Sequence, residues 1–266
     1  MKKTIISRCL TGLFVMVTLM NALMPCYFVA EAYTDLETTA WRAPAQIIID
    51  AELDEWNTST PLVLDHAEQL VRDANQWTGT EDLSANMYFM WDQENLYLAG
   101  EIQDDTPFMY REGFPPDMAD AMVLFFSTNP AADPTRVKYE ATDFRLVMII
   151  DDYYFNTGLD RDMVENTCGL ETKGDDGDDQ VLDGYEYAVK EIAGGYIYEA
   201  AIPWSNFANE QIPVLSPEAG MVIGFDFAMY DLDFPCPGVA TVSMAWTGST
   251  EGDTNPSTWG RLLFQE

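Results

Sequence analysis

The chain has 266 residues, and its 13 basic and 45 acidic side chains give a formal charge of −32 with a single histidine, His66. Such a charge excludes partners that need basic stripes, namely nucleic acids and anionic membrane surfaces. One histidine excludes a multi-histidine metal centre and any Ser-His or Cys-His site not built on His66. A content of 47% hydrophobic and 13% aromatic residues excludes a disordered chain and predicts a full-sized core.

The N-terminus has the pattern of an export signal. Three basic residues within the first eight positions precede an apolar stretch at 9–24, and Ala30-Glu31-Ala32 places small residues at positions −3 and −1 of a cleavage site. We predict a signal peptide at 1–32 and a mature, secreted domain at 33–266 with a charge of −34. A retained membrane anchor is the alternative, but the stretch is shorter than the roughly 20 residues of a spanning helix. We expect no membrane insertion after processing.

The body of the chain reads as β-strands separated by Asp-, Gly- and Pro-rich breaks. A helix is indicated only at 67–75. Polar residues at 92–95 and the pair Gly194-Gly195 predict two hairpin turns. This pattern predicts a single all-β domain, an antiparallel β-sandwich of jelly-roll or immunoglobulin-like type. The predicted strands are 46–50, 86–91, 96–103, 121–126, 144–150, 185–191, 196–202, 221–230, 241–246 and 261–264.

Two cysteines, Cys168 and Cys236, remain after removal of the signal peptide. Export permits a disulfide between them, and two free thiols fit the sequence equally well. Neither cysteine belongs to a CxxC pair, so the sequence does not favour a zinc or redox site.

Five sequence blocks carry a family pattern. They are IDAELDEW at 49–56, the hairpin MWD to NLYL at 90–98, DAMVLFF at 120–126, GGYIYEAAIPW at 194–204 and the closing WGRL at 259–262. In this order they resemble the family 9 carbohydrate-binding modules of secreted enzymes that degrade plant polysaccharides, over about residues 47–264. The resemblance implies a β-sandwich, binding of soluble sugars and bound structural calcium.

The sugar site that the resemblance implies is altered in this chain. The family places a sugar between two tryptophans, and the corresponding positions hold Asp117 and Asp253. Val123 stands where the family has a glutamate that contacts sugar. Arg145 matches an arginine of the family's sugar site, which implies a sugar-binding role. The alternative for Arg145 is a structural ion pair with Asp120 or Asp143.

Other aromatic side chains are candidates to replace the missing clamp. Trp77 lies in a polar loop outside the family pattern, and Tyr110 and Phe114 lie in the loop 107–116 near one lost clamp position. Aromatic rings bury the apolar face of a sugar, and loop aromatics are enriched at binding sites. We predict that Trp77, Tyr110, Phe114 and Arg145 form the carbohydrate site. Core packing is the alternative for each ring, as it is for the framework tryptophans.

Calcium is the expected structural cofactor. It binds carboxylate and carbonyl oxygens, and export places the chain where calcium is abundant. Asp104, Asp105 and Asp120 lie at predicted strand ends near metal positions implied by the resemblance, and we predict that they bind the ion. The aspartates at 175–179 lack the spacing of an EF-hand and read as a solvated acidic loop.

The sequence thus predicts a secreted, non-catalytic module that binds plant-type polysaccharide or oligosaccharide, alone or alongside separate glycoside hydrolases or cell-surface assemblies. Three alternatives stay open. One is a scaffold that has kept the fold without the sugar. Another is a haem-binding domain of a related fold, for which 14 methionines offer ligands although no CxxCH is present. The third is a glycosidase that uses the mid-strand carboxylates Glu101 and Glu199.

Overall fold

The computed structural model describes residues 36–44, 47–107, 120–149, 168–171, 182–233 and 241–266. All of them belong to one compact unit, Glu31–Glu266. Their regular structure consists of β-strands joined by loops and short 3-10 turns, as the sequence predicts. The strands are β1 (Glu37–Arg42), β2 (Leu62–Leu64), β3 (Leu70–Arg72), β4 (Leu83–Trp91), β5 (Asn95–Asp104), β6 (Ala121–Ser127), β7 (Asp143–Ile149), β8 (Cys168–Glu171), β9 (Glu186–Ile192), β10 (Gly195–Pro203), β11 (Val222–Asp231), β12 (Val242–Ala245) and β13 (Gly260–Gln265).

The strands form one continuous hydrogen-bonded sheet in the order β8-β7-β6-β11-β13-β1-β4-β5-β10-β9. Strand β12 pairs with β11 and β3, and β2 pairs with β4. Most strand pairs are antiparallel, as predicted, but β1 at the centre runs parallel to both β13 and β4. The sheet is therefore mixed, and β1 joins its two halves.

The two halves of the sheet face each other across the main core. Phe89 of β4 and Phe225 of β11 are separated by two strands in the sheet order, yet their ring centroids lie 5.1 Å apart. Phe126 of β6 likewise meets Phe207, which follows β10, at 4.8 Å. Contacts of this kind require the sheet to fold over on itself, which gives the two-layer packing of a β-sandwich.

Both predicted hairpins are confirmed. Asp92 shapes the β4–β5 turn, since its Oδ1 accepts hydrogen bonds from the backbone amides of Glu94 and Asn95 at 2.7 and 2.8 Å. At the β9–β10 turn, Gly194 has a φ of 83°, which glycine adopts without steric cost. A Cβ on Gly195 would lie 2.0 Å from the carbonyl oxygen of Ile102 on β5, so no larger residue fits there.

Two predicted elements are wrong. Residues 47–50 of the predicted first strand are not in a strand, and the true first strand is β1. The predicted helix at 67–75 is a single 3-10 turn, Ala67–Gln69, followed directly by β3. Pairing of β3 with β12 competes successfully with the weak local helix preference of this short segment.

The segment after β1 carries one strained residue. Ala51, at the position where the resemblance usually has glycine, adopts a φ of 59°. This left-handed conformation costs a residue with a Cβ about 1–2 kcal/mol. The segment is nevertheless held in place, because Ala51 is buried and its amide is hydrogen bonded to Glu199.

Several predictions fall outside the described residues. They concern the signal peptide, Tyr110, Phe114, Asp117 and the pairing of Cys168 with Cys236, and all of them stay predictions. Within the described parts of the chain, no helix has the length and apolar character needed to cross a membrane.

Candidate functional site: a cleft on the sheet and a buried carboxylate cluster

A polar cleft opens on the outer face of β6, β11, β12 and β3. It encloses about 120 Å³, less than the roughly 300–1,000 Å³ of typical small-molecule pockets, and it combines two aromatic rings with several polar groups. The loop after β12 forms one wall. Residues lining the cleft are Val71, Arg72, Phe125, Asp226, Ala228, Tyr230, Ser243, Ala245, Ser249, Thr250, Gly252 and Asp253.

Arg145 lies beside this cleft. It is the cross-strand partner of Phe125, so both side chains project from the same face of the sheet. Its Nε donates to Oδ1 of Asp253 at 3.0 Å, and its Nη2 lies 3.4 Å from the hydroxyl of Tyr230. The alternative for Arg145 is an ion pair with Asp120 or Asp143, but among the described residues its ion pair is with Asp253. Asp143 pairs instead with Arg136 at 2.6 Å.

The Arg145–Asp253 pair explains one departure from the family pattern. Asp253 occupies a position where the resemblance places a stacking tryptophan, and here it holds the guanidinium of Arg145 instead. Val123, the other departure, is fully buried on the same face. The cleft therefore has a carboxylate–guanidinium pair where the family has one wall of its aromatic clamp.

The rim loop is anchored from below. The carbonyl oxygen of Gly252 accepts hydrogen bonds from Nε1 of Trp259 at 3.0 Å and from the hydroxyl of Tyr139 at 3.1 Å. These bonds fix the residue preceding Asp253 and so hold its carboxylate near Arg145. A cleft with a fixed wall loses little conformational entropy when a ligand binds.

Asp226 forms the floor of the cleft and is fully buried. Its Oδ1 accepts from the backbone amides of Phe227 and Thr247, and its Oδ2 accepts from the hydroxyl of Thr247 at 2.5 Å. Burial raises the pKa of Asp226 to about 7, because desolvation of the charge outweighs these hydrogen bonds. The carboxyl group therefore titrates near neutral pH.

We expect Asp226→Asn to flatten the pH dependence of stability. A carboxyl whose folded-state pKa lies above its unfolded value of 3.8 keeps its proton longer in the folded protein. The stabilisation that this proton gives the folded protein is complete below pH 3.8. It is lost as the pH rises from 3.8 to about 7, by up to about 1.4 kcal/mol per pH unit. Urea unfolding at pH 4 to 8 should show a shallower slope for Asp226→Asn. The exposed Asp183→Asn is the control, and equal slopes for all three proteins would contradict the assignment.

Trp77 does not line the cleft. Its ring packs against the main core, and its Nε1 donates to the carbonyl oxygen of Leu83 at 3.0 Å. These contacts orient the loop that precedes β4. Its role in sugar binding stays a prediction, as do those of Tyr110 and Phe114.

A second constellation is a cluster of three buried carboxylates. Asp104 ends β5, Asp120 directly precedes β6, and Asp231 ends β11, and each offers an oxygen within 4.8 Å of the others. Asp104 comes from one half of the folded sheet, whereas Asp120 and Asp231 come from the other. The structure thus brings together two of the three predicted metal ligands. Asp231 was missed, because it lies 111 positions after Asp120 in the sequence with no local motif.

The buried cluster fits a cation. Asp231 is 2% exposed, and neither of its carboxylate oxygens has a hydrogen-bond partner among the described residues. Burial and then the neighbouring charge of Asp104 raise the pKa of Asp231 to about 8, and burial raises the pKa of Asp104 to about 6. Three such groups cannot all ionise together without a positive charge between them.

Asp105, the third predicted ligand, belongs to a separate outer group with Asp82 and Asp233. Asp105 and Asp233 are exposed, and the carboxylate of Asp82 accepts a hydrogen bond from the amide of Thr78. Because two of its three carboxylates are exposed and Asp82 is hydrogen bonded, this group is stable in water without an ion.

The two carboxylates considered for catalysis do not line this cleft. Glu199 is fully buried, and its oxygens accept from the amides of Asp50 and Ala51 and from Nε1 of Trp56 at 2.9, 2.7 and 2.8 Å. Glu101 accepts from the hydroxyl of Tyr88 at 2.9 Å. Glu199 therefore anchors the segment before β2, and this geometry assigns it a structural role.

Six of the methionines that the haem alternative could use are packed in the cores of the part of the chain that the structure describes. Met87, Met122, Met148, Met229 and Met244 belong to the main core, and Met90 to the smaller one. The single histidine, His66, is an exposed side chain beside Asp65.

The fold is that of a carbohydrate-binding module, and comparisons with known proteins agree. The model of the family described as "Carbohydrate family 9 binding domain-like" matches residues 49–266. Because this match covers most of the chain, the protein belongs to that family.

Curated relatives match this chain over a small part of their own length. Endo-1,4-beta-xylanase A of Thermotoga neapolitana is 25% identical over 218 residues, which are 81% of this chain and 17% of that enzyme. Endo-1,4-beta-xylanase A of Thermoanaerobacterium saccharolyticum is also 25% identical, over 82% of this chain and 15% of the enzyme. The chain thus spans about a sixth of the length of these relatives.

Solved structures share the fold. A family 9 carbohydrate-binding module from Caldicellulosiruptor kristjanssonii in complex with cellotriose superposes with a TM-score of 0.58 at 19% identity, covering 86% of this chain and 94% of that one. The same source with glucose gives 0.55 at 20% identity, covering 86% and 96%. The all-β sandwich prediction is therefore confirmed.

Proposed function

We propose that this protein is a secreted, non-catalytic carbohydrate-binding module whose ligand site is the cleft between Arg145, Asp253 and Tyr230. The observation that carries the proposal is the placement of Arg145. The residue that matches the family's sugar-site arginine lies at the rim of a polar cleft, with its guanidinium directed by Asp253 and Tyr230. Such charged and hydroxyl groups are suited to hydrogen-bond sugar hydroxyls.

The proposed ligand is a plant-type polysaccharide or one of its oligosaccharides. Relatives are named xylanases, and related structures hold cellotriose and glucose. In this chain, Tyr230 and Phe125 supply the aromatic surface, and both rings are mostly buried. These rings expose less area than a two-tryptophan clamp does. We therefore predict a modest affinity that depends on polar contacts.

Calcium is proposed as a structural ion bound by Asp104, Asp120 and Asp231. When bound, it would supply the positive charge that the buried carboxylates lack. The three aspartates come from both halves of the folded sheet, so their shared ligand would tie the two layers together. Export to a calcium-containing environment, predicted from the N-terminus, supports this assignment.

The decisive experiment is calorimetric titration of the mature protein with cello- and xylo-oligosaccharides. We expect Arg145→Gln to weaken binding about tenfold, the loss of roughly 1.4 kcal/mol of hydrogen bonding. Arg261→Gln is the matched control, because Arg261 is an exposed arginine that faces Glu37 on β1, away from the cleft. Equal affinities for the parent and Arg145→Gln would place the sugar elsewhere. If no glycan binds the parent protein, the scaffold role replaces this proposal.

A further inference from the structure

One end of the cleft carries polar groups that take no part in the sugar contacts proposed for Arg145. Arg72 of β3 and Ser243 of β12 are directly paired across these two strands, and Ser243 is also paired with Tyr230 of β11. All three side chains line the cleft. They form a row across three neighbouring strands, and we call this row the Arg72 end.

Arg72 offers an exposed positive charge. Its guanidinium lies over the ring of Tyr230, 5.5 Å from the centroid, and within the described chain it has no carboxylate partner. This is unusual in a protein with 45 acidic and 13 basic residues, where carboxylates are available to nearly every cation. The exposed carboxylate of the cleft, Asp253, is already held by Arg145.

Ser243 offers a buried donor. The residue is 1% exposed, and its Oγ has no hydrogen-bond partner among the residues that the structure describes. A buried hydroxyl without a partner costs free energy, so such a group at the wall of a cleft points to a ligand atom that completes it. A hydroxyl can donate to an anion while a guanidinium binds the same anion in a bidentate manner.

We propose that the Arg72 end binds a carboxylate and that the ligand of the cleft therefore contains a uronic acid residue. The sugar would lie beside the hydroxyl of Tyr230, its carboxylate would accept from Arg72 and Ser243, and the next sugar would extend toward Arg145. The chain as a whole is strongly negative, but charges beyond about 8–10 Å are screened at physiological salt. The charges lining the cleft therefore determine whether an anion binds. Asp253 is paired with Arg145, Asp226 is buried in the floor and accepts from Thr247, and Arg72 has no carboxylate partner among the described residues. This inference rests on the proposed function of the cleft.

The test compares ligands that differ only in charge. A xylo-oligosaccharide with one glucuronic acid branch, the methyl ester of that branch and the unbranched oligosaccharide are titrated by calorimetry at low and high salt. We expect the acid to bind about tenfold more tightly than the ester, an advantage of 1.4 kcal/mol that shrinks as salt rises. Acetate and sulfate alone serve as further ligands. Tight binding of either would show that the site binds anions without recognising the sugar.

Variants separate the possible outcomes. Arg72→Gln should abolish the preference for the acid and leave affinity for the ester within about twofold, and Ser243→Ala should reduce the preference in part. Arg42→Gln is the matched control, since Arg42 also lies over an aromatic ring, that of Trp91, but away from the cleft. Equal binding of acid and ester, or equal losses for both in Arg72→Gln, would overturn the uronate inference while the sugar-binding proposal stands. Binding of none of these oligosaccharides would overturn both.

Discussion

Calcium is expected to raise the melting temperature of this protein by about 5–10 °C over its value in EDTA. An ion that binds only the folded state at a hundredfold excess over its Kd adds about 2.7 kcal/mol. For a domain of this size, each kcal/mol shifts the melting temperature by about 2–4 °C. The physical reason lies in Asp231, whose buried oxygens have no partner among the described residues, beside Asp104 and Asp120. Differential scanning calorimetry with calcium, with magnesium and with EDTA measures the effect.

Asp231→Asn identifies the site. The amide removes a buried negative charge, so we expect the variant to be at least as stable as the parent in EDTA and to lose at least half of the calcium-dependent shift. The exposed Asp54→Asn should behave as the parent does. An unchanged calcium-dependent shift in melting temperature in Asp231→Asn would show that the ion binds at another site. The outer group of Asp82, Asp105 and Asp233 is then the first candidate. An identical melting temperature in calcium and EDTA would refute the structural role of the ion.

Glu199→Ala is expected to lower the free energy of unfolding by about 3–5 kcal/mol, among the largest effects of any single substitution in this protein. The glutamate is fully buried and accepts three hydrogen bonds from the segment before β2. Its removal leaves the amides of Asp50 and Ala51 and the indole of Trp56 without an acceptor. Without that anchor, the segment would detach and expose the apolar face of β4, β5 and β10 that it covers.

Glu101→Ala is the matched control, because Glu101 lies on the neighbouring strand and is only partly buried, with a single hydrogen bond from Tyr88. We expect it to cost about 1 kcal/mol. Urea denaturation measures both variants, and glycan binding is measured on whichever variant stays folded. A Glu199→Ala protein with parental stability would show that the carboxylate does not anchor the fold, and would restore the case for a two-carboxylate glycosidase.

The local parts of the fold were predictable. The β4–β5 and β9–β10 hairpins follow from neighbouring residues, since Asp92 and Gly194 dictate the turns and the flanking apolar runs determine the strands. The core tryptophans were predictable for the same reason, because Trp91 and Trp204 lie inside strong strand patterns or directly beside them. Information of this kind is contained in a few consecutive residues.

The central strand was not predictable. Residues Glu37–Arg42 contain no clear alternation, and they form β1 because they pair with β13 near the other end of the chain and with β4. The segment at 47–50, rich in isoleucine, has the composition of a strand. Its backbone amide at Asp50 is instead bound by the side chain of Glu199, 149 positions away, so a contact distant in sequence overrides the local preference.

The sequence by itself determined the class of the protein: the strand runs, the acidic surface and the family blocks together specify a β-sandwich carbohydrate-binding module, because each depends on local pattern and composition. Only the tertiary structure decided how the sites are assembled. It paired Asp253 with Arg145, brought Asp231 to Asp104 and Asp120, and aligned Arg72 with Ser243 and Tyr230. Arg72, Ser243 and Tyr230 meet because β3 pairs with β12 and β12 with β11. Asp104 meets Asp120 and Asp231 because the sheet folds back on itself. No local residue pattern encodes either arrangement.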